Sequence, residues 1–521
     1  MNSPANSLGN HFPASSFPVP LASAVDIVNV FNRSVREKLT RLFGQRFSNR
    51  AEDRQELSKT TLPKSTYPLG VVQPENRDEV IQLMKILNEY QIPWHPFSRG
   101  CNWGYGARCA SEDNHLMIDL RRMNRIVEIN EELAYAVIEP GVSQGQLAME
   151  LEKRNSGLML DVTGAGPDAS IVGNTLQRGF GHTPYGDHFA HSCNYEAVLP
   201  DGSLKRTGFG DVTNSDVGHV YPYGNGPCDQ GSFVQSNQTV VTRMTIWLMP
   251  RPQTIQGFGF KTNDLGTFRK IVDRVGQLRR EGIINSVVHI ANDIRVLSTK
   301  AGLKEHNGQN EPFTPAQRMQ IAARSGMGLW NGLGGLYGTN GIVNAKKKEI
   351  RQAFKGLCKI RFFSQRHVQL LNAAAKHAPE TRSFERMRNL SSTVSEVYEL
   401  LCGRPSQAHL QGAFNRNRPP SGNVIDSGLI WIAPVIPNTG SDTLRLLGAI
   451  EPIANRHGFD LPVTISPVAA RSAVCVCNLW YDKQVASDGP RASSCYREIR
   501  QMMDQLGYPP YRTASIDLEV P

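Results

Sequence analysis

Apolar residues recur along this chain with two spacings, which separate helices from strands. Residues 77–90 carry apolar side chains three and four positions apart, which predicts an amphipathic helix that buries Val80, Leu83, Met84 and Leu87. Short apolar runs have the length of strands and lie at 92–98, 116–120, 126–129 and 134–140. Ser143 then stands where it can cap a short helix. This alternation predicts an α+β or α/β domain built on short strands.

The chain changes character at Pro250-Arg251-Pro252. Glycine is dense between residues 164 and 231, whereas residues 264–281 show helical spacing and open a region of longer helices. We therefore expect a domain boundary near residue 255. Within the second region, residues 404–428 are rich in Pro, Asn, Arg and Gly, which predicts a long loop over a site.

The 521 residues, of which 40% are hydrophobic, suffice for two or three domains of ordinary globular composition. Lys and Arg number 57 and Asp and Glu 47, which gives a net charge of +10. The basic residues are scattered and form no concentrated stripe, so we expect no nucleic-acid binding. The excess of positive charge favours an anionic ligand or an acidic partner.

The nine cysteines include no Cys-x-x-Cys pair, so neither a zinc ribbon nor a thioredoxin-type site is predicted, and we expect no metal. Cys475 and Cys477 alternate within an apolar run, which predicts buried thiols on one face of a strand. These cysteines are typical of a reducing compartment. Residues 1–25 lack a secretory pattern and no apolar run reaches ~18 residues, so we expect a cytoplasmic protein without a membrane span.

Two glycine-rich stretches carry the candidate chemistry. The familiar motifs of P-loop NTPases, zincins and α/β-hydrolases are absent from the sequence, as is Gly-x-Gly-x-x-Gly. Residues 98–106 (SRGCNWGYG) lie between two apolar runs, where successive backbone N–H groups can form an anion-binding nest; a tight structural turn is the alternative. Residues 171–188 and 223–227 are again glycine-rich. Two such regions are suited to holding a long dinucleotide from both sides.

These motifs, and the order in which they occur along the chain, resemble the vanillyl-alcohol oxidase / p-cresol methylhydroxylase flavoprotein family. The resemblance covers roughly residues 65–515. The matching segments are SRGCNWGYG (98–106), VIEPGVSQGQL (137–147), VGNTLQRGFGHTPYGDHF (172–189), YGNGP (223–227), IWLMP (246–250), MGLWNGLGGLYGT (327–339) and Tyr511-Arg512-Thr513.

The resemblance implies an α+β fold in which a two-subdomain FAD-binding domain of PCMH type carries an α+β cap domain over the flavin. On this chain, the FAD-binding domain would be 65–255 and the cap 256–505. Residues 1–64 would form an N-terminal tail and lead-in helices, and 506–521 a return to the FAD domain. Family members continue further past the position of Arg512, so we expect the flavin edge to be less covered here.

The family binds FAD, and the resemblance places cofactor contacts on a defined set of residues. These are Ser98, Arg99, Gly100, Cys101, Asn102, Gly104, Gly173, Asn174, Gly181, His182, Thr183, Val240 and Val241. Some members attach FAD covalently through a cap histidine or tyrosine. Those positions align with Leu429 and Phe414, which cannot form the bond, so we expect FAD to be bound non-covalently.

The resemblance also implies a phenolate-binding site made of Tyr105, Tyr511 and Arg512. Members of the family remove a hydride from the benzylic carbon of a para-substituted phenol, which becomes feasible when the ring oxygen is anionic. Simple packing in the glycine loop is the alternative interpretation for Tyr105. The implied activity is that of an FAD-dependent oxidase or dehydrogenase.

Two departures from the family keep other functions open. The paired histidines of a cap strand align here with Val474 and Cys475, which makes that part of the pocket apolar. An oxidoreductase with an altered substrate is therefore one alternative, and a catalytically weakened subunit of a complex is another. The expected partners are a small aromatic substrate, dioxygen or a cytochrome as electron acceptor, and a second copy of the chain.

Overall fold

The computed structural model describes residues 30–213, 216–236, 238–298, 311–379, 381–414, 423–515 and 517. The predicted N-terminal tail, residues 1–29, lies outside this part of the chain. The lead-in segment that follows contains α1 (Arg33–Phe43) and α2 (Ala51–Leu57). Within the described residues, no helix is both long and apolar enough to cross a membrane.

The first sheet has four short strands, β1 (Phe47–Ser48), β2 (Gly70–Val72), β3 (Trp94–Phe97) and β4 (Leu116–Asp119). Their order is β1-β2-β4-β3, and β2 and β3 both run parallel to β4. The predicted helix is confirmed as α3 (Arg77–Glu89), because the Asn76 side chain caps its first turn and its apolar stripe is buried. Its buried residues belong to the same apolar core as β2 and β4.

The second sheet is antiparallel and has the order β5-β6-β10-β8-β9. Its strands are β5 (Ile126–Asn130), β6 (Tyr135–Ile138), β8 (Ser192–Val198), β9 (Leu204–Arg206) and β10 (Val240–Trp247). A two-stranded ribbon pairs β7 (Leu158–Met159) with β11 (Met249–Pro250). The helices of this region are α4 (Gln144–Lys153), α5 (Ile171–Leu176) and α6 (Val217–Val220). Ser143 caps α4 as predicted, since its hydroxyl accepts from the Gln146 amide at 3.1 Å.

The third sheet begins at Thr254. Its strands are β12 (Thr254–Thr262), β13 (His289–Asn292), β14 (Trp330–Gly338), β15 (Arg361–Phe363), β16 (Gly428–Ile432), β17 (Val435–Pro437), β18 (Val463–Ser466) and β19 (Ser472–Tyr481). They pair antiparallel in the order β15-β12-β14-β13-β18-β19-β16, and β17 also pairs with β19. Cys475 and Cys477 are both fully buried on β19, as predicted.

The described helices of this third region are α7 (Leu265–Arg280), α8 (Asp293–Leu297), α9 (Pro315–Ser325), α10 (Asn340–Ala353), α11 (Gln365–Lys376), α12 (Arg382–Leu401), α13 (Gln407–Ala413), α14 (Gly440–Arg456) and α15 (Asp488–Leu506). Of these, α7, α10, α14 and α15 share one apolar core with the strands of the sheet. The predicted helix at 264–281 is α7, whose apolar stripe is buried in that core.

The prediction of one long loop over residues 404–428 is wrong for its first half, where α13 forms. Ser406 caps this helix by accepting from the His409 amide at 3.2 Å. Leu410, Ala413 and Phe414 are buried on its inner side, and that burial stabilises a helix that composition alone does not suggest. Residues 415–422 lie outside the described part of the chain.

Candidate active site

A cavity of about 1370 Å³ is lined by residues of all three sheets and of α13. The loop after β3 and the segment around α5 form one part of its wall, and the strands of the third sheet form another. Among the described residues, six lysines and arginines line it, against one carboxylate, that of Glu396. This imbalance favours anionic ligands.

The loop that follows β3 combines close contacts with free amides. Gly104 has φ +72°, and a Cβ added there would lie 1.5 Å from the Trp431 side chain on β16, so the loop and the third sheet meet at this glycine. The Gly104 amide donates to Thr61 Oγ1 at 2.8 Å. By contrast, within the described residues the amides of Gly100, Cys101 and Asn102 have no hydrogen-bond acceptor. These three N–H groups are the ones available to an anion.

Arg99 ties this loop to the segment before α5. Its Nε donates to the Asp168 carbonyl at 2.7 Å, and its Nη1 donates to the Gly141 carbonyl at 3.3 Å. Cys101 lies beside it, and burial raises the pKa of its thiol to about 11, so the thiol stays protonated. Ser98, Arg99 and Cys101, three of the residues predicted to contact the cofactor, line the cavity.

The second glycine-rich stretch supplies the opposite part of the groove. Four further residues predicted to contact the cofactor line the cavity here: Gly173, Asn174, His182 and Val241. A Cβ added at Gly173 would lie 3.2 Å from Ser98 Oγ, so the glycine permits α5 to approach the loop after β3.

Four predicted cofactor residues do not line the cavity: Gly104, Gly181, Thr183 and Val240. Gly181 instead packs on Asp161, whose carboxylate would lie 1.4 Å from an added Cβ. Asp161 also accepts from the Thr183 amide at 2.6 Å and contacts His188 at 2.8 Å. Burial opposes ionisation of Asp161, but these hydrogen bonds outweigh it and lower the pKa of the carboxyl. Val240 is buried in the core of the first sheet.

The residues that remain fit an FAD molecule. The free amides of the loop after β3 suit the pyrophosphate, and the glycine at 173 leaves room for an extended ligand beside them. The Thr239 hydroxyl is buried, lines the cavity and has no partner within the described residues, so it is available to a polar cofactor group.

Tyr105 lies close to Tyr511 and Arg512, although more than 400 positions separate it from these two residues in sequence. The rings of Tyr105 and Tyr511 lie edge to face with centres 6.4 Å apart. The Arg512 guanidinium carbon is 3.8 Å from the Tyr105 ring centre and 5.1 Å from that of Tyr511. All three side chains line the cavity.

Arg512 is a half-buried cation without a carboxylate partner among the described residues. Its Nη1 donates weakly to the Gln177 carbonyl at 3.4 Å, and its Nε has no partner there. Burial acts to lower the pKa of Arg512, but the charge interactions with Tyr511 and Tyr105 outweigh it and raise the pKa. Burial raises the pKa of Tyr105 well above its usual value, so this phenol remains a hydrogen-bond donor. The three groups can therefore stabilise an oxyanion placed between them.

A group of basic side chains in the same cavity was not predicted as a unit. The His182 ring centre lies 4.6 Å from that of His289 and 6.1 Å from that of His409. Burial lowers the pKa of His409 to about 3, and that of His289 lies well below its usual value for the same reason. Arg295 on α8 acts on both rings with its charge. No sequence motif links these residues. His182 follows α5, His289 and Arg295 lie on the consecutive elements β13 and α8, and His409 lies on α13, so only the fold brings all four together.

At the four cap positions where the resemblance implies a histidine or a tyrosine, this chain has buried residues without such side chains: Leu429, Phe414, Val474 and Cys475. Leu429 is fully buried in a cluster with Phe414, Leu410 and Trp480. Val474 is buried beside Tyr105, and Cys475 lies in the core with its sulfur 3.9 Å from that of Cys477. Neither Val474 nor Cys475 is among the described residues that line the cavity, so the apolar part of the pocket expected at these two positions stays a prediction. The basic side chains lie on β13, α8 and α13.

Comparison with known proteins assigns an N-terminal part of the chain to a family model. Residues 68–208 match the FAD binding domain. The chain is 34% identical over 454 residues to 1'-carboxy-chondrochloren decarboxylase of Chondromyces crocatus, covering 85% of this chain and 83% of that protein. It is 31% identical over 447 residues to the flavoprotein subunit of 4-cresol dehydrogenase [hydroxylating] of Pseudomonas putida, covering 85% and 80%.

Solved structures agree with this assignment. p-Cresol methylhydroxylase with substrate bound superposes with a TM-score of 0.83 at 29% identity, covering 94% of this chain and 90% of that one. The 4-ethylphenol oxidase of Gulosibacter chungangensis gives a TM-score of 0.83 at 26% identity, covering 96% and 91%. The predicted fold class and the FAD cofactor are confirmed. The chain belongs to the p-cresol methylhydroxylase family and is an FAD-dependent oxidoreductase.

Proposed function

We propose that this protein oxidises para-substituted phenols at the carbon attached to the ring opposite the hydroxyl group. The observation that carries the proposal is the set of Tyr105, Tyr511 and Arg512, in which Tyr105 is buried and the other two are half-buried. In this set an arginine lies against two phenol side chains, and no carboxylate of the described residues neutralises it. A bound phenol would complete the set as a phenolate.

The three side chains would act by lowering the pKa of the bound phenol. A free phenol has a pKa near ~10, and a depression of ~3 units corresponds to about 4 kcal/mol of preferential stabilisation of the anion. The charge of Arg512 and two hydroxyl donors are a reasonable source of that energy in a site closed to water. The anionic oxygen then pushes electrons toward the para carbon, which makes loss of a hydride from the attached carbon feasible.

Apolar neighbours would hold the substrate ring and exclude water. Tyr105 packs with Ala433, Val474 and Ala514, and Phe180 extends this cluster toward Tyr511. A low-polarity wall strengthens the attraction between Arg512 and a phenolate. When bound, FAD supplies the acceptor for the two electrons and the hydrogen that leave the substrate.

The test is anaerobic reduction of the FAD-loaded protein by three matched compounds: 4-ethylphenol, 3-ethylphenol and the methyl ether of 4-ethylphenol. We expect the first to bleach the flavin absorbance and the other two to leave it unchanged. The 3-isomer cannot push electrons to its side chain, and the ether cannot form a phenolate. Equal bleaching by the ether would contradict a role for the oxyanion.

The same sample measures the electron acceptor. One relative is named a dehydrogenase and one structural neighbour an oxidase, so both dioxygen and a cytochrome are candidates for this chain. Admitting air to the reduced protein restores the flavin absorbance at once if dioxygen is the acceptor. If the flavin stays reduced until oxidised cytochrome c is added, the acceptor is a cytochrome.

A further inference from the structure

Arg295 is a second cation in the cavity whose charge the mechanism above does not use. It lies on α8 and lines the cavity on the side of the third sheet. Its side chain makes one hydrogen bond within the described residues, from Nη1 to Ser298 Oγ at 3.3 Å. The remaining N–H groups of a guanidinium, which has five, are left for another acceptor.

The carboxylate nearest to Arg295 in sequence, that of Asp293, already has a cationic partner. Asp293 is fully buried and is held by Arg318, whose Nη2 lies 2.6 Å and Nε 3.0 Å from its two oxygens. Arg318 also pairs with Glu451 at 2.8 Å, so it balances two carboxylates. Arg295 therefore has no carboxylate of its own in the described part of the chain. Burial without a counter-charge lowers its pKa to about 10, and it remains a cation at neutral pH.

In the described part of the chain, the surroundings of Arg295 supply hydrogen bonds but no negative charge. His289 and His409, which feel its charge, are neutral at physiological pH because burial lowers the pKa of each. The His289 Nδ1 pairs with Ser466 Oγ at 2.9 Å, while its Nε2 is buried and has no partner among the described residues. An unsatisfied buried nitrogen beside an unpaired arginine is the arrangement that a ligand carboxylate would satisfy.

A series of ring contacts joins His289 to the proposed phenolate site. Tyr511 packs edge to face on Phe180 with ring centres 5.8 Å apart, and Phe180 stacks on His289 at 6.4 Å. Arg512 and Arg295 line the same cavity, and the rings of Tyr511, Phe180 and His289 lie in contact along its wall. A para-substituted phenol whose oxygen is held by Arg512 directs its side chain away from that arginine.

From this arrangement we propose that the para side chain of the substrate ends in a carboxylate and that Arg295 binds this carboxylate. The inference rests on the proposed phenol oxidation and adds the substrate class to it. The substrate would be an acid with two anionic ends when bound: a phenolate oxygen and a side-chain carboxylate.

The test compares acids with their amides, which have nearly the same shape but no charge. FAD-loaded protein is titrated anaerobically with 4-hydroxyphenylacetate, 3-(4-hydroxyphenyl)propanoate and the amide of each, and the flavin spectrum or its rate of reduction gives the apparent dissociation constant. We expect at least one acid to bind about 10- to 100-fold more tightly than its amide, as for a charge-assisted hydrogen bond. Acids that bind no better than their amides would overturn the proposal.

Substitutions of Arg295 test whether this residue causes the preference for an acid over its amide. Arg295→Gln should reduce the ratio between acid and amide to nearly one, and Arg295→Lys should retain part of it. Arg361→Gln is the matched control, because Arg361 lines the same cavity but is exposed, and it should change the ratio less than about twofold in ordinary salt. A preference that survives in Arg295→Gln contradicts the assignment, as does an equal weakening of acid and amide.

Reduction by 4-ethylphenol separates this proposal from the one on which it rests. If 4-ethylphenol reduces the flavin while acids show no preference over amides, the phenol oxidation stands and the carboxylate site is wrong. If acids bind through Arg295 but no phenol reduces the flavin, the carboxylate site stands and the proposed reaction is wrong.

Discussion

At the scale of single residues, Arg512 and Tyr511 differ in what each can contribute to an oxyanion. The charge of Arg512 has no substitute near the tyrosines, whereas Tyr105 can still donate when Tyr511 loses its hydroxyl. We expect Arg512→Gln to slow anaerobic flavin reduction by about 100- to 1000-fold and Tyr511→Phe by about 10- to 100-fold. Stopped-flow reduction by 4-ethylphenol measures both.

Tyr337→Phe is the control for Tyr511→Phe, because Tyr337 is also buried and donates to the Leu401 carbonyl, at 2.9 Å, but does not line the cavity. It should leave the reduction rate unchanged. Parental rates in both Arg512→Gln and Tyr511→Phe would show that the phenolate binds elsewhere.

The buried His409 should make the free energy of unfolding depend on pH. Its pKa falls from 6.5 to about 3 on folding, so the unfolded chain takes up the proton first as the pH is lowered. This histidine therefore contributes no loss of stability above pH 6.5 and an increasing loss between pH 6.5 and 3. By pH 5 the loss is at most about 2 kcal/mol.

His409→Gln should lose less stability than the parent when urea unfolding at pH 7 is compared with unfolding at pH 5. An identical pH dependence of the two proteins would mean that His409 is protonated in the folded state at pH 5.

At the scale of elements, the loop after β3 is held in place by a contact with β16. The Trp431 amide donates to the Gly104 carbonyl at 3.1 Å, and the Trp431 side chain fills the space where a Cβ would stand. Gly104→Ala combines an unfavourable φ with overpacking, so we expect a loss of about 2–4 kcal/mol of unfolding free energy and a lower FAD content.

The matched control is Gly448→Ala in α14, where no atom lies within 4 Å of the added Cβ. That change should be neutral or stabilising by up to about 1 kcal/mol, since alanine favours a helix over glycine. Thermal unfolding and the flavin-to-protein absorbance ratio measure both variants. A Gly104→Ala protein with parental stability and flavin content would show that the contact with β16 is dispensable.

Local pattern predicted the elements whose stability is local. The helix α3 and the cap of α4 depend on residues within a turn of one another, and the sequence identifies both correctly. The helix α13 was missed because its stability comes from burial of Leu410 and Phe414 against distant residues. Likewise, Val240 and Val241 read alike in sequence, but one lies in the core and the other on the cavity wall.

At the scale of the whole molecule, the cavity unites residues that no motif connects. Resemblance to a family pointed to Tyr105, Tyr511 and Arg512, and the fold brings them together. Neither resemblance nor spacing pointed to Arg295 and His289, because their significance depends on which neighbours remain unpaired after folding.

A cavity that crosses all three sheets should couple cofactor binding to global stability. Free FAD at a hundredfold excess over its dissociation constant stabilises the protein by about 2.7 kcal/mol. For a chain of 521 residues this raises the melting temperature by about 2–3 °C. Differential scanning calorimetry of flavin-depleted protein, with and without FAD, measures the shift. An unchanged melting temperature at saturating FAD would contradict the cavity as the cofactor site.

The mode of attachment is a further property of the whole protein. Leu429 and Phe414 offer no atom that can bond to the flavin, so acid precipitation should release all flavin into the supernatant. Flavin in the pellet would contradict non-covalent binding, and its loss in His409→Gln would identify His409 as the point of attachment.

In the proposed reaction, a hydrogen leaves the carbon attached to the ring of a bound phenolate. Anaerobic flavin reduction by 4-ethylphenol carrying deuterium either at that benzylic carbon or on the ring measures this step directly. We expect benzylic deuterium to slow the reduction and ring deuterium to leave its rate unchanged. Reduction at equal rates with all isotopologues, or no reduction by any of them, would contradict it.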